Sequence, residues 1–262
     1  MTETGDASQE SPVIYETDGG IAVITINRPK AKNALDAATA QAIAEALDDL
    51  DARPELRVGI LTGAGGTFCA GMDLKAFLRG ETPVVEGRGF GGIVERPPQK
   101  PLIAAVEGYA LAGGLEVALA CDLIVAAQNA KFGIPEAKRG LAAAAGALLR
   151  LPNRVPRNVA MEMALTGDFV STAKLAEFGL VNEVTSPGKA LASAKELAGR
   201  IAKNAPMSII ASKRVIVESS DWSQDEMWRR QDDITGPVFS SKDAIEGSAA
   251  FAEKRAPEWK GE

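Results

Sequence analysis

Apolar and polar positions along this chain fall into short runs of two periods. The run IAVITIN at 21–27 alternates as a strand does, Arg28-Pro29 interrupts it, and residues 37–51 then carry alanines and leucines at helical spacing. Residues 58–62 form a second strand, closed by Gly63-Ala64-Gly65-Gly66. Leu102–Val106 and Leu123–Ala127 are apolar without interruption, as strands covered on both faces are. Beyond about Glu136 strand signals nearly cease, and 157–165, 172–178, 189–203, 207–219, 223–234 and 242–254 read as helices. The pattern predicts an α/β core over 13–200 with a covered sheet, a helical region over 201–262, and a polar, disordered tail over 1–12. Residues 80–100, with Gly87, Gly89, Gly91, Gly92 and Pro97-Pro98, follow neither period. They read either as an inert surface linker or as a mobile loop over a site.

Composition narrows the function. Of 262 residues, 46% are hydrophobic and 24% charged, which is ordinary for a globular chain and disfavours disorder or a fibrous repeat. The longest near-apolar stretch, 102–121, contains Glu107, Glu116 and glycines that lipid would not tolerate, so no membrane span is expected. The start of the chain has neither a basic nor an apolar region of a secretory signal, and a cytoplasmic protein is the expectation. Histidine is absent, which removes the Ser-His-Asp triad, the Cys-His pair and the usual zinc sites. Cys69 and Cys121 make neither a disulfide framework nor a metal spacing, so no metal is expected. A net charge of -6 argues against a nucleic-acid surface. Chemistry is left to carboxylates, lysines, tyrosines and backbone amides.

The chemical signal begins at 109–121, where a strand feeds Gly113-Gly114 and a helix apolar on every side except at Glu116. A carboxylate buried there costs several kcal/mol unless something offsets it. It either caps its own helix, an effect worth roughly 0.3–1 kcal/mol, or serves catalysis. Farther along, Pro135 favours a helix start with Glu136 in its first turn, again as a dipole-stabilising acid or as a reactive one. Two such acids in a histidine-free chain can converge as general acid and base. Upstream, the glycine-rich turn at 65–75 enters a helix and offers backbone N–H groups to an anion. Its spacing is neither that of a P-loop nor that of a dinucleotide fingerprint.

Taken together and in order, the runs NRPKAKNALD at 27–36, FCAGMDL at 68–74, KPLIAAVEG at 100–108, GGLE at 113–116 and FGIPE at 132–136 resemble the enoyl-CoA hydratase/isomerase (crotonase) family. So do LTG at 165–167, GLVNEV at 179–184 and the ending at 246–255; the likeness runs from about residue 13 to the end. The resemblance implies a spiral of ββα units with a C-terminal helical region that mediates trimers, often paired into hexamers. It implies an acyl-CoA thioester as substrate, no separate cofactor, and an oxyanion hole of two backbone N–H groups, which by position fall at Ala70 and Gly113. The water-activating acids of family hydratases map onto Glu116 and Glu136, whereas isomerases usually lack or move one of them. Lys30, Lys32, Lys75 and Lys254 are the candidates for the CoA phosphates, the last from a neighbouring subunit. Solvated surface lysines are the plainer reading of all four.

The chain departs from hydratases just past Glu136, where their Pro-Gly-x-Gly-Gly is replaced by Gly140-Leu141-Ala142-Ala143-Ala144-Ala145-Gly146. Ala144 and Met72 are therefore expected to crowd the acyl pocket, with core packing as the other reading of Met72. The 139–152 segment and the 253–261 ending are similar to carnitinyl-CoA dehydratase-like and actinobacterial steroid-side-chain members. The expected activity is reversible hydration of an enoyl-CoA. Its alternatives are a carnitinyl-CoA dehydratase-like reaction, double-bond isomerisation, and acyl-CoA binding without turnover.

Overall fold

The structure, a computed structural model, describes residues 11–262. Of the expected tail only Ser11 and Pro12 fall within it, and Pro12 O accepts the Asn27 N–H at 2.8 Å. Strands β1 (Val13–Asp18) and β2 (Ile21–Ile26) form a hairpin whose first strand the period-2 reading had not separated. Helix α1 (Ala37–Ala52) starts at Asp36, whose carboxylate accepts the Thr39 N–H at 2.9 Å. Then come β3 (Val58–Gly63), α2 (Leu74–Leu78), a small hairpin of β4 (Val84–Val85) and β5 (Gly89–Phe90), β6 (Leu102–Val106), β7 (Tyr109–Leu111), α3 (Gly113–Ala120), β8 (Leu123–Ala127) and β9 (Lys131–Gly133). The chain continues through α4 (Ala147–Arg150), α5 (Arg157–Thr166), β10 (Val170–Ser171), α6 (Thr172–Glu177) and β11 (Glu183–Thr185). Helices α7 (Ala190–Ala202), α8 (Pro206–Glu218), α9 (Met227–Phe239) and α10 (Lys242–Glu253) complete it.

The main sheet runs β1-β2-β3-β6-β8-β11 and a smaller one runs β10-β9-β7. Every neighbouring pair in the main sheet except β1 and β2 is parallel. The units β6–β7 and β8–β9 each give one strand to each sheet before turning into a helix, as the expected spiral does. On one face of the main sheet Val23, Ile60, Ile103 and Val125 pack against Ala190, Ala194 and Ala198 of α7. On the other, Ile24, Leu61, Ala104 and Ile124 meet Ile43 and Leu47 of α1 and the buried α3. Coverage on both faces explains why these strands are apolar without alternation.

Segment 80–100 is no inert linker, since Val84, Phe90 and Val94 line a cavity, but it is packed against the core and not loosely anchored. Ile93 is fully buried, and Gly91 and Gly92 have φ of +63° and +71°. A Cβ on Gly92 would stand 2.2 Å from Ala40 O, and one on Gly91 would stand 2.9 Å from Val117 Cγ2. The glycines allow close approach to α1 and α3. Gly92→Ala is accordingly expected to lower the unfolding free energy by about 1–3 kcal/mol, read by denaturant titration. A neutral effect would restore the loop reading.

Helix α9 starts later than the 223–234 expectation, because Ser223 to Glu226 close a turn of their own, and it runs on past Pro237. Among the described residues no helix is long and apolar enough to cross a membrane.

Candidate functional site

At the β7–α3 junction the backbone is forced. Ala112 sits at φ +52°, and its N–H donates to Gly133 O at 2.8 Å. A Cβ on Gly114 would fall 2.2 Å from Cys69 O, and one on Gly113 2.4 Å from the Phe90 ring, so both positions require glycine. The Gly113 N–H finds no acceptor among the described residues.

The 68–74 turn is held against this junction by the 27–36 run. Arg28 pairs with Asp36 at 2.8 Å and with Asp73 at 2.9 Å, and buried Asn33 binds the carbonyls of Ala64 and Thr67. Gly71 abuts α3 so closely that a Cβ on it would lie 3.2 Å from Gly113 N. Here one expectation is corrected. The Ala70 N–H donates to Lys32 O at 3.1 Å and is not available to a ligand. Leu35 N–H binds Gly71 O and Asp73 N–H binds Leu35 O, which leaves the Met72 N–H between them without an acceptor among the described residues. The free amides are therefore those of Met72 and Gly113.

Glu116, in the first turn of α3, is 3% exposed. It does not cap its own helix: its Oε1 accepts the Ala147 N–H at 3.1 Å, across the cavity wall. Burial pushes its pKa up to about 7, with the charge of Glu136 adding to the rise and the Ala147 and Ala145 amides opposing it. Glu136 lies in the 3₁₀ segment Pro135–Arg139, and burial raises its pKa too. Its Oε2 is buried without a hydrogen-bond partner among the described residues. An unpaired buried carboxylate oxygen is a standing cost, and its residue lines the same cavity as Glu116.

That space is a cavity of roughly 1750 Å³ whose wall includes Ala70, Met72, Gly113, Glu116, Glu136 and Ala144. The alanines of the 140–146 segment have no positive φ, so they narrow the wall without straining it. Lys30, Lys32, Lys75 and Lys254 are exposed and stand outside the cavity lining. Lys32 adjoins Ala70 through its carbonyl, and its Nζ sits 5.5 Å from the centre of the Tyr109 ring. The sequence reading missed the Met72 amide, Arg150 and Arg154 on the far wall, and Lys213 of α8 beside them. Nothing local marks the arginines, since only the fold brings α4 against α3.

An α/β spiral in which two raised carboxylates share a cavity with two acceptor-free amides sets proton donors and acceptors beside a site for developing negative charge. The chain matches the enoyl-CoA hydratase/isomerase family over residues 16–262 and belongs to it. It is 42% identical to a carnitinyl-CoA dehydratase of Proteus mirabilis over 253 residues, 94% of this chain and 97% of that one. The structure of an enoyl-CoA hydratase from Mycobacterium marinum superposes with a TM-score of 0.95 at 59% identity, covering 97% of this chain and 100% of the other. That of a carnitinyl-CoA hydratase from Mycobacterium avium gives 0.77 at 42% identity, covering 97% and 100%. The fold is crotonase-type and the activity is of the hydratase type.

Proposed function

We propose that this enzyme adds water reversibly across the C2=C3 bond of an enoyl-CoA thioester. As the water oxygen bonds to C3, one glutamate takes a water proton, negative charge moves onto the thioester oxygen, and the other glutamate delivers a proton to C2. The Met72 and Gly113 amides hold that oxygen, replacing the Ala70 contact expected from position. The observation that carries the reading is the pair Glu116, buried, and Glu136, half-buried, both raised in pKa and both lining one cavity. Burial favours the protonated form of both acids, and the charge of Glu136 raises Glu116 further, so a proton donor and a proton acceptor can stand side by side in one site.

The test is water addition to a panel of enoyl-CoAs with binding measured in parallel. Hydration dependent on both acids supports the proposal; double-bond migration dependent on one acid would make it an isomerase, and binding without turnover a carrier. A medium or bulky acyl chain is preferred over a crotonyl group in this reading, supported by a cavity of roughly 1750 Å³ that extends from Met72 and Ala144 to α8. A carnitinyl-type dehydration is the second reading, supported by the Proteus relative. No separate cofactor enters the scheme, and Lys30, Lys32 and a neighbouring subunit's Lys254 meet the CoA phosphates.

Oligomerisation belongs to the same proposal. Helix α9 buries none of its residues, and Phe239 and Phe251 are 82% and 88% exposed. An amphipathic helix left this bare is completed by a second copy. A trimer or hexamer is expected in light scattering at micromolar concentration, and a monomer there would remove the argument.

A further inference from the structure

The far wall of the cavity carries charge that hydration does not use. Arg150 ends α4, Arg154 follows the next turn, and both line the cavity. Each is held to the backbone through one nitrogen: Arg150 Nη2 donates to Val94 O, and Arg154 Nη2 to Cys121 O at 2.9 Å and Asp122 O at 3.0 Å. Neither pairs with a carboxylate among the described residues. The nearby acids are committed or solvated: Asp122 takes Lys213 Nζ at 2.7 Å, Glu218 takes Arg214 at 2.7 Å, and Glu95 and Asp221 are exposed. Two half-buried guanidiniums without a counter-ion repel each other. Burial, and then the charge of Arg154, makes Arg150 give up its proton more readily than usual, while the charge of Glu116 works the other way. Arg150 therefore stands nearer the two acids than Arg154, which extends the positive wall away from them toward Asp122. A carboxylate between them would offset desolvation and repulsion together, through the forked donors that guanidinium presents.

We infer that Arg150 and Arg154 form an anion subsite for the end of the acyl chain, and that this enzyme selects enoyl-CoA substrates whose tail terminates in a carboxylate. The inference rests on the hydratase reading of Glu116 and Glu136 for its reaction, though not for its binding chemistry. A methyl-terminated tail leaves the arginines uncompensated, and a quaternary-ammonium tail adds a third positive charge.

The test compares kcat/KM for length-matched 2-enoyl-CoAs ending in carboxylate, methyl or trimethylammonium. Carboxylate is expected to exceed methyl by about 10- to 100-fold, with trimethylammonium last. The carboxylate-to-methyl ratio should shrink toward one in Arg150→Met and Arg154→Met, persist in part in Arg154→Lys, and fall at high salt in the unaltered enzyme. Because the ratio is internal to each variant, a general loss of activity does not enter it. A preference for methyl or ammonium, or a ratio unchanged in both methionine variants, overturns the inference. If the methionine variants do not fold, a salt-independent ratio in the unaltered enzyme overturns it. If no tail is hydrated, the hydratase reading fails, and calorimetric affinities for saturated acyl-CoAs with the same three ends decide the subsite. The same order supports it, and equal affinities refute it.

Discussion

Glu116→Gln is expected to slow hydration by about 10²–10⁴-fold and, unusually for a core substitution, to stabilise the fold above neutral pH. Glutamine keeps the shape of the side chain and an oxygen for the Ala147 amide, and removes proton transfer. The stability effect follows from burial. The folded-state pKa of Glu116 is about 7 against an ordinary 4.5, so the folded protein holds this proton more tightly than the unfolded one. The advantage is complete below the unfolded value and is lost as pH rises through the folded one. Across that window the unaltered protein forfeits on the order of 3 kcal/mol. The neutral glutamine loses nothing there. Denaturant titrations should therefore show the variant matching the parent at about pH 5 and exceeding it at about pH 8. Undiminished turnover would remove Glu116 from the chemistry, and lost activity together with lost stability at the higher pH would make it a structural acid.

Glu136→Gln should slow the reaction on the same scale, since Glu136 lines the same cavity and its Oε2 is committed to no partner among the described residues. In the proposed mechanism both groups act on one water, so the double variant should fall well short of the product of the two losses.

Much of this was legible locally. Strands β2, β3, β6 and β8 and helix α1 follow from period and punctuation, and Glu116 stood out as the one acid on an apolar helix. That it reaches Ala147 and leaves its own N-terminus uncapped depends on how α4 folds back, which no local pattern records. The glycines at 91 and 92 read as looseness because local sequence cannot distinguish a glycine that is free from one pressed against Ala40. The amide assignment failed for the same reason. Whether an N–H is free depends on its acceptor, and the acceptor for Ala70 is Lys32 O, contributed by a distant run.

That correction can be tested directly. Met72→Pro deletes an amide hydrogen that has no protein acceptor, directly after a glycine whose φ of +101° already lies outside the helical region. Folding should survive, because no intramolecular hydrogen bond is lost and glycine best tolerates a following proline ring. Catalysis should not survive intact: removing one preorganised donor to the enolate oxygen costs about 2.7–4 kcal/mol, or roughly 10²–10³-fold in kcat. Met72→Leu retains the N–H and fills similar space, and should stay within a few-fold of the parent. Ala70→Pro breaks the bond to Lys32 O, so its first effect should be on stability, by about 0.5–1.5 kcal/mol for the bond alone. Steady-state rates and denaturation curves for the three variants separate the cases. If Met72→Leu loses as much kcat as Met72→Pro, the side chain and not the amide is at work. If Ala70→Pro shows the larger fall in kcat with unchanged stability, the oxyanion donor returns to Ala70.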